Sequence, residues 1–283
     1  MRNNEEQQRG ALGPLGTVQH LLKVLLVGTV TIAQISDLHI GTKRAGFLRF
    51  GDRSDALARC IKKVNAAGPD LVIATGDLTH TGELAEYHRL RELIAELRPP
   101  VYLLPGNHDD RQALRTAFSD HAYLFKTSPQ IDYTIDAGPV RIIAIDSTEP
   151  QRTGGYLDEP RISWLRQRLE ETQAHPTIVA LHHPPFESGV WPMDSYGFNN
   201  VAALEELLKQ YAHVQRIVAG HVHCVRSAHI GQALAYTSPP PFTMPLMVRK
   251  NARGWLLPAR ERAGFLLHSC DESNAITTRV VRL

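Results

Sequence analysis

From Val30 onward, short apolar runs alternate with stripes of apolar residues at helical spacing, and this alternation predicts an order of elements. Thr31-Ile-Ala-Gln-Ile35 has the length and apolarity of a buried strand. In Asp55 to Asn65, Leu57, Ile61 and Val64 fall on one helical face. Asp70-Leu-Val-Ile-Ala-Thr75 predicts a second strand, ended by Gly76. Glu83 to Arg98 sets Leu84, Tyr87, Leu90, Ile94 and Leu97 along one stripe until Pro99-Pro100 stops the helix, and Val101 to Leu104 predicts a third strand.

The pattern then changes. Ile131 to Asp136 and Val140 to Asp146, joined across Ala-Gly-Pro, predict an antiparallel hairpin. Pro160 suits the first turn of a helix carrying Ile162, Leu165 and Leu169. A strand from Thr177 to Leu181, a helix from Asn200 to Tyr211 and a strand from Arg216 to Ala219 follow. The runs Ala233 to Tyr236, Gly264 to His268 and Ile276 to Val281 predict a tail of β hairpins. Parallel βαβ units followed by antiparallel strands lead us to expect two packed sheets flanked by helices. Residues 1–28 are expected to be a polar, disordered leader, and 29–283 a single domain with a β-rich C-terminal part.

Composition narrows the class. With 283 residues, 43% hydrophobic and 21% charged, the chain is that of an ordinary globular protein. A net charge of +2, with no basic arm or aromatic–basic repeat, argues against nucleic acid as a partner. Lys43, Arg44, Arg49 and Arg53 do cluster, as solvated loop faces commonly do. The longest apolar run, near Leu21 to Ile35, is broken by Lys23, Gly28, Thr29, Thr31 and Gln34, so no membrane span is expected. Cys60, Cys224 and Cys270 are scattered, which fits a reducing cytosol and a cytoplasmic protein.

The chemistry lies where strands end. Ser36-Asp-Leu-His39, Thr75-Gly-Asp77, Pro105-Gly-Asn-His-Asp109, Leu181-His-His-Pro184 and Ala219-Gly-His-Val-His223 each follow an apolar strand with Asp, Asn or His. Taken singly these segments are weak: Asp-x-His is common, and Gly-Asp after a strand is ordinarily a turn. Together they place Asp37, His39, Asp77, Asn107, His182, His221 and His223 at the carboxyl edge of one sheet system, where α/β folds bind ligands. Glycines 76, 106 and 220 permit sharp backbone exits. Carboxylate, amide oxygen and imidazole without thiolate favour Mn, Fe, Co or Zn. Seven donors suit two ions sharing a bridging carboxylate, a device that clamps phosphoryl oxygens and acidifies a bridging water for in-line attack.

These blocks, D-x-H, G-D, G-N-H-D, H and G-H-x-H in order from Asp37 to His223, resemble the calcineurin-like metallophosphoesterase family. Their close spacing and the His-His-Pro-Pro form are similar to bacterial class III cyclic-nucleotide and glycerophosphodiester phosphodiesterases. The resemblance implies an α/β fold, a four-layer α/β/β/α sandwich of two mixed sheets flanked by helices. It implies a cofactor of two divalent or trivalent metal ions, with Asp37, His39 and His223 on one, Asn107, His182 and His221 on the other, and Asp77 bridging. His182 is taken over His183 as the ligand, because the family's ligand is usually the first His after the strand. The resemblance further implies that His108 contacts the substrate phosphate and protonates the leaving oxygen, with Asp109 expected to orient it.

The expected substrate is a small phosphodiester, such as 3′,5′-cyclic AMP or a glycerophosphodiester. Monoesterase or nuclease activity at the same site, and a non-catalytic scaffold of the same fold, are the competing expectations. The loop Pro185 to Asn200, with Phe186, Trp191, Met193, Asp194, Tyr196 and Phe198, offers either a wall against the substrate or a flap. Pro239 to Pro245 either lines the pocket or stiffens a crossing. The β-rich tail offers an edge to a second copy, so a homodimer is an open expectation.

Overall fold

The computed structural model describes residues 29–41, 53–171, 175–249 and 256–283; the expected leader and Lys43, Arg44 and Arg49 lie outside them. In chain order the elements are β1 (Val30–Ile35), α1 (Ser54–Ala67), β2 (Leu71–Thr75), α2 (Leu84–Ile94), β3 (Val101–Leu104), α3 (Arg111–Ala117), β4 (Tyr133–Ala137) and β5 (Val140–Ala144). They continue as β6 (Gly155–Tyr156), α4 (Glu159–Glu170), β7 (Thr177–Ala180), β8 (Val190–Trp191), α5 (Met193–Tyr196), β9 (Phe198–Asn199), α6 (Val201–Leu208) and β10 (Val214–Ala219). The chain ends with β11 (Arg226–Ile230), β12 (Ala233–Thr237), β13 (Met244–Arg249), β14 (Leu256–Glu261), β15 (Gly264–Cys270) and β16 (Ile276–Arg282).

Alternation along the strands decides the layers. Ile142 and Ala144 of β5, Ile178 and Ala180 of β7 and Val218 of β10 join the core shared with Ile32, Val72 and Leu103 of the other sheet. Their neighbours Ile143, Val179, Ile217 and Ala219 pack instead against Ile162, Leu165 and Leu169 of α4 and Leu204, Leu207 and Leu208 of α6. Successive strand residues point to opposite faces, so a strand apolar at every position is one covered on both sides. Leu57, Ile61 and Val64 of α1 and Tyr87, Leu90 and Ile94 of α2 cover the first sheet. Each such side chain contributes about 1.5–3 kcal/mol of burial. The result is the expected helix, sheet, sheet, helix sandwich.

The first sheet has the order β16-β15-β1-β2-β3 and the second β11-β12-β10-β7-β5-β4. Strands β1, β2 and β3 are parallel, as are β5, β7, β10 and β12; β15, β16, β4 and β11 run antiparallel to their neighbours. A third sheet, β14-β13-β8, was not legible in the pattern. Pro245 and Pro258 interrupt its strands, which argues against strand structure. However, β8 pairs only with Met247 and Val248, so at Pro245 the strand has β14 alone as its partner. No helix among the described residues is long and apolar enough to cross a membrane.

One polar contact pins the two large sheets directly beneath the strand ends. Gln34 Nε2 donates to Thr75 Oγ1 (2.9 Å) and, across the sheets, to the Ala219 carbonyl (2.8 Å). Its Oε1 accepts from His268 Nε2 (3.1 Å), and His268 Nδ1 meets the Thr278 hydroxyl at 3.0 Å. Burial, aided by nearby Arg216, pushes His268 down to about 3. Because the folded value lies below the unfolded one, the neutral ring contributes its full stability above about pH 6.5 and loses it as pH falls toward 3. Stability to urea is therefore expected to drop on acidification by up to roughly 1.4 kcal/mol per pH unit from this group. His268→Gln is expected to flatten the slope of the urea midpoint between pH 7 and pH 4; an unchanged slope would contradict this.

Candidate metal centre

Five strands converge at one edge of the sandwich. β1 leads to Asp37 and His39, β2 to Asp77, β3 to Asn107, β7 to His182, and β10 to His221 and His223. Asp37, His39, Asp77, His221 and His223 all have positive φ, between 44° and 69°; the other described non-glycine residues of this kind are Gln151, Asn200 and Asn274. Such backbone is costly for a side chain and concentrates where function over-determines geometry. The cost is offset by cross-loop hydrogen bonds. Asp37 N–H donates to the Gly76 carbonyl (3.0 Å), His39 N–H to the Asp77 carbonyl (2.9 Å), and Gly220 N–H to the His182 carbonyl (2.9 Å). His221 N–H donates to Asp37 Oδ1 (2.9 Å) and His108 N–H to Asp77 Oδ1 (3.0 Å).

The glycines serve two different ends. Gly76 has a φ of +92°, which a side chain rarely adopts. Gly106 and Gly220 lack positive φ, and their want of a side chain answers a different need. They are small because a methyl group at 106 would overlap the backbone nitrogen of Asp77, and one at 220 the hydroxyl of Ser36.

The donor atoms form two sets that meet at Asp77. In one, His39 Nε2 lies 3.0 Å from His223 Nε2 and 3.6 Å from Asp77 Oδ2, and His223 Nε2 lies 3.4 Å from Asp37 Oδ1. In the other, Asn107 Oδ1 lies 3.2 Å from His182 Nε2 and 3.0 Å from His221 Nδ1, with His182 Nε2 3.3 Å from Asp77 Oδ1. Atoms held 2.0–2.2 Å from one shared centre are separated by about 3.0 Å in octahedral and about 3.5 Å in tetrahedral geometry. Both sets have that spacing, and Asp77 turns one carboxylate oxygen to each.

Electrostatics supports the same reading. Asp37 and Asp77 are 0% and 2% exposed, and among the described residues their ion-pair partners are histidines only. Asp37 Oδ2 is buried without a hydrogen-bond partner. Burial holds His39 and His221 down to about 3, neutral and able to lend a lone pair. At His182 burial opposes the charge, but Asp77, together with Asp37 and the Thr75 carbonyl, lifts the ring to about 9. The site thus draws in a proton where a cation would compensate the same carboxylates. The donor set fits a pair of metal ions.

The two adjacent histidines separate by their partners. His182 Nδ1–H donates to the Thr75 carbonyl at 2.8 Å, so Nε2, turned toward Asp77 and Asn107, is the nitrogen from which a metal would displace a proton. His183 has both ring nitrogens engaged, Nδ1 with the Ser147 hydroxyl (2.9 Å) and Nε2 with the Thr153 carbonyl (3.0 Å). The role expected of Asp109 is different in the structure. Its carboxylate accepts from Leu78 N–H, Thr79 N–H and Oγ1, Tyr87 Oη and Gly106 N–H, at 2.8–3.1 Å, and makes no contact with the His108 ring. The His108 ring is held instead by its Nδ1–H, which donates to the His80 carbonyl at 2.8 Å. With Nδ1 so occupied, Nε2 is the nitrogen that can exchange a proton. His80 itself escaped the sequence reading; its ring stacks on that of His108 at 5.8 Å, and ring nitrogens of His39, His80 and His108 lie within 4.8 Å of one another. The only sequence hint was a further histidine three residues after Asp77.

The calcineurin-like phosphoesterase family model matches residues 30–225, more than half of the chain, and the protein belongs to this family. It is accordingly a phosphoric ester hydrolase. The chain is 32% identical over 251 residues to the probable glycerophosphodiester phosphodiesterase GpdQ of Arcobacter nitrofigilis, covering 87% of this chain and 91% of that protein. It is 30% identical over 197 residues to the 3′,5′-cyclic adenosine monophosphate phosphodiesterase CpdA of Pseudomonas aeruginosa, covering 69% and 70%. Among solved structures, a dimetal phosphatase from Danio rerio superposes with a TM-score of 0.62 at 14% identity, covering 89% of this chain and 98% of that one. That last likeness bears on the fold alone.

Proposed function

We propose that the protein is a two-metal phosphodiesterase acting on small diesters, of the kind named for its GpdQ and CpdA relatives. The observation that carries this is Asp77, whose two carboxylate oxygens face two separate donor sets. Asp37, His39 and His223 would hold one ion, Asn107, His182 and His221 the other, with Asp77 between them. Oxygen and imidazole donors suit Mn, Fe, Co or Zn. When bound, such a pair supplies charge to the phosphoryl oxygens and lowers the pKa of water.

The chain's own part is positioning and proton transfer. Asp77 Oδ1 accepts from the His108 N–H and so fixes that residue beside the donor sets. The His80 carbonyl holds His108 Nδ1–H, directing Nε2 at the leaving oxygen, to which it gives the proton. His182 is oriented by Thr75.

The test is Mn²⁺-dependent hydrolysis of bis(p-nitrophenyl) phosphate and cyclic AMP by the purified protein. A folded, metal-loaded protein that turns over no diester, or prefers p-nitrophenyl phosphate in kcat/KM, contradicts the diesterase reading. His108→Ala is expected to keep both ions and slow turnover by about 10²-fold. Loss of metal in that variant would mean its role is misassigned.

A further inference from the structure

Beside the candidate metal centre, the loop after β7 borders an open cleft of about 250 Å³ that shares only His221 with the donor sets. Its inner end is His221, whose Nδ1 lies 3.0 Å from Asn107. Its walls are apolar, built from Phe186, Met193, Phe198, Val201 and Val222. Of the polar side chains at its border, two are already engaged, and Glu187 stands beside them. His183 is bound to Ser147 and Thr153, and Asp194 accepts from Ser188 N–H and Oγ and Gly189 N–H at 2.7–2.8 Å. These last contacts and the β6–β9 ladder fix the wall in place. Phe198 is seated so closely on Gly155 that a methyl group there would overlap its ring.

The cleft adjoins the donor set of His221, whose ring does not contact that of the proposed proton donor. His108 has ring contacts with His39 and His80, whereas His221 contacts His182, His183 and Tyr196. In an in-line displacement a new P–O bond forms from water, the bond to the leaving oxygen breaks, and that oxygen takes the proton. A leaving oxygen directed at His108 leaves the other ester group facing His221.

We propose that this cleft holds the retained ester group, and selects a flat apolar group, an aryl ring or nucleoside base, over a polyol. Polyol hydroxyls would lose water against these apolar walls, with the Glu187 carboxylate as the one acidic acceptor at the border that is not already hydrogen-bonded among the described residues. A ring would bury its faces against Phe198 and Phe186. The proposal rests on the diesterase reading above, and its test separates the two.

Three diesters sharing p-nitrophenolate as leaving group, with methyl, phenyl or 5′-thymidyl as retained group, are compared in kcat/KM on the Mn²⁺-loaded protein. Phe198→Ala is expected to lower the phenyl-to-methyl and thymidyl-to-methyl ratios by about tenfold. Val201→Trp, which fills the cleft from the start of α6, is expected to lower the same ratios and keeps the test open should Phe198→Ala fail to fold. Ratios unchanged in the folded variants overturn the cleft assignment while leaving diesterase activity intact. A wild-type protein that hydrolyses none of the three overturns the diesterase reading and the cleft assignment with it.

Discussion

Replacing Asp77 by alanine is expected to lower kcat/KM for bis(p-nitrophenyl) phosphate by about 10³-fold or more. It is also expected to reduce bound metal from two ions per chain to one or none. The reason is geometric. Asp77 Oδ1 lies 3.3 Å from His182 Nε2 and Oδ2 lies 3.6 Å from His39 Nε2, so one side chain serves both donor sets. The same carboxylate accepts the His108 N–H, so its loss also releases the proton donor. Metal analysis alongside kinetics separates these effects. A variant that keeps two ions and loses activity would show Asp77 to be a substrate contact, not a bridge.

The second large effect is expected at Asp109, and on stability. Its carboxylate ties the loop after β2, through Leu78 and Thr79, to the loop after β3, through Gly106, and to α2 through Tyr87. Burial and the nearby Asp77 push it up to about 6, against these hydrogen bonds, so it is ionised at neutral pH. Asp109→Ala leaves three backbone N–H groups without their acceptor, at a cost of about 3–5 kcal/mol. For a chain of this size that is roughly 10 °C in Tm. Asp109→Asn is not expected to rescue, because both oxygens face donors and either amide orientation turns N–H groups against them. A melting temperature within two or three degrees (about 1 kcal/mol) of wild type for Asp109→Ala would refute this role.

Much of the fold was legible because both large sheets are covered on both faces, which makes β1, β2, β7 and β10 short, mostly apolar runs. The convergence of Asp37, Asp77, Asn107, His182 and His221 was legible for a related reason: each lies within three residues of the end of a strand. What stayed hidden depends on backbone atoms and three-dimensional packing. The positive φ of Asp37 and His221 leaves only a weak trace in residue type, since Asp and His adopt it more often than most side chains but still uncommonly. His80 acts on His108 through its carbonyl, which every residue possesses. Asp109 sits beside His108 in sequence, but the turn sends its carboxylate under the loop after β2. The choice between His182 and His183, made in the sequence by position, receives a structural argument from their hydrogen bonds. The third sheet was obscured by Pro245 and Pro258, which a short, singly paired stretch of strand tolerates.

On the proposed function, two metal ions would sit in these two donor sets and share Asp77. Anomalous diffraction from crystals of the Mn²⁺-loaded protein tests it most directly. The expected result is two peaks about 3.5–4 Å apart, one among Asp37, His39 and His223, the other among Asn107, His182 and His221, with Asp77 between them. A single peak, or a peak among His39, His80 and His108 in place of either, would contradict it.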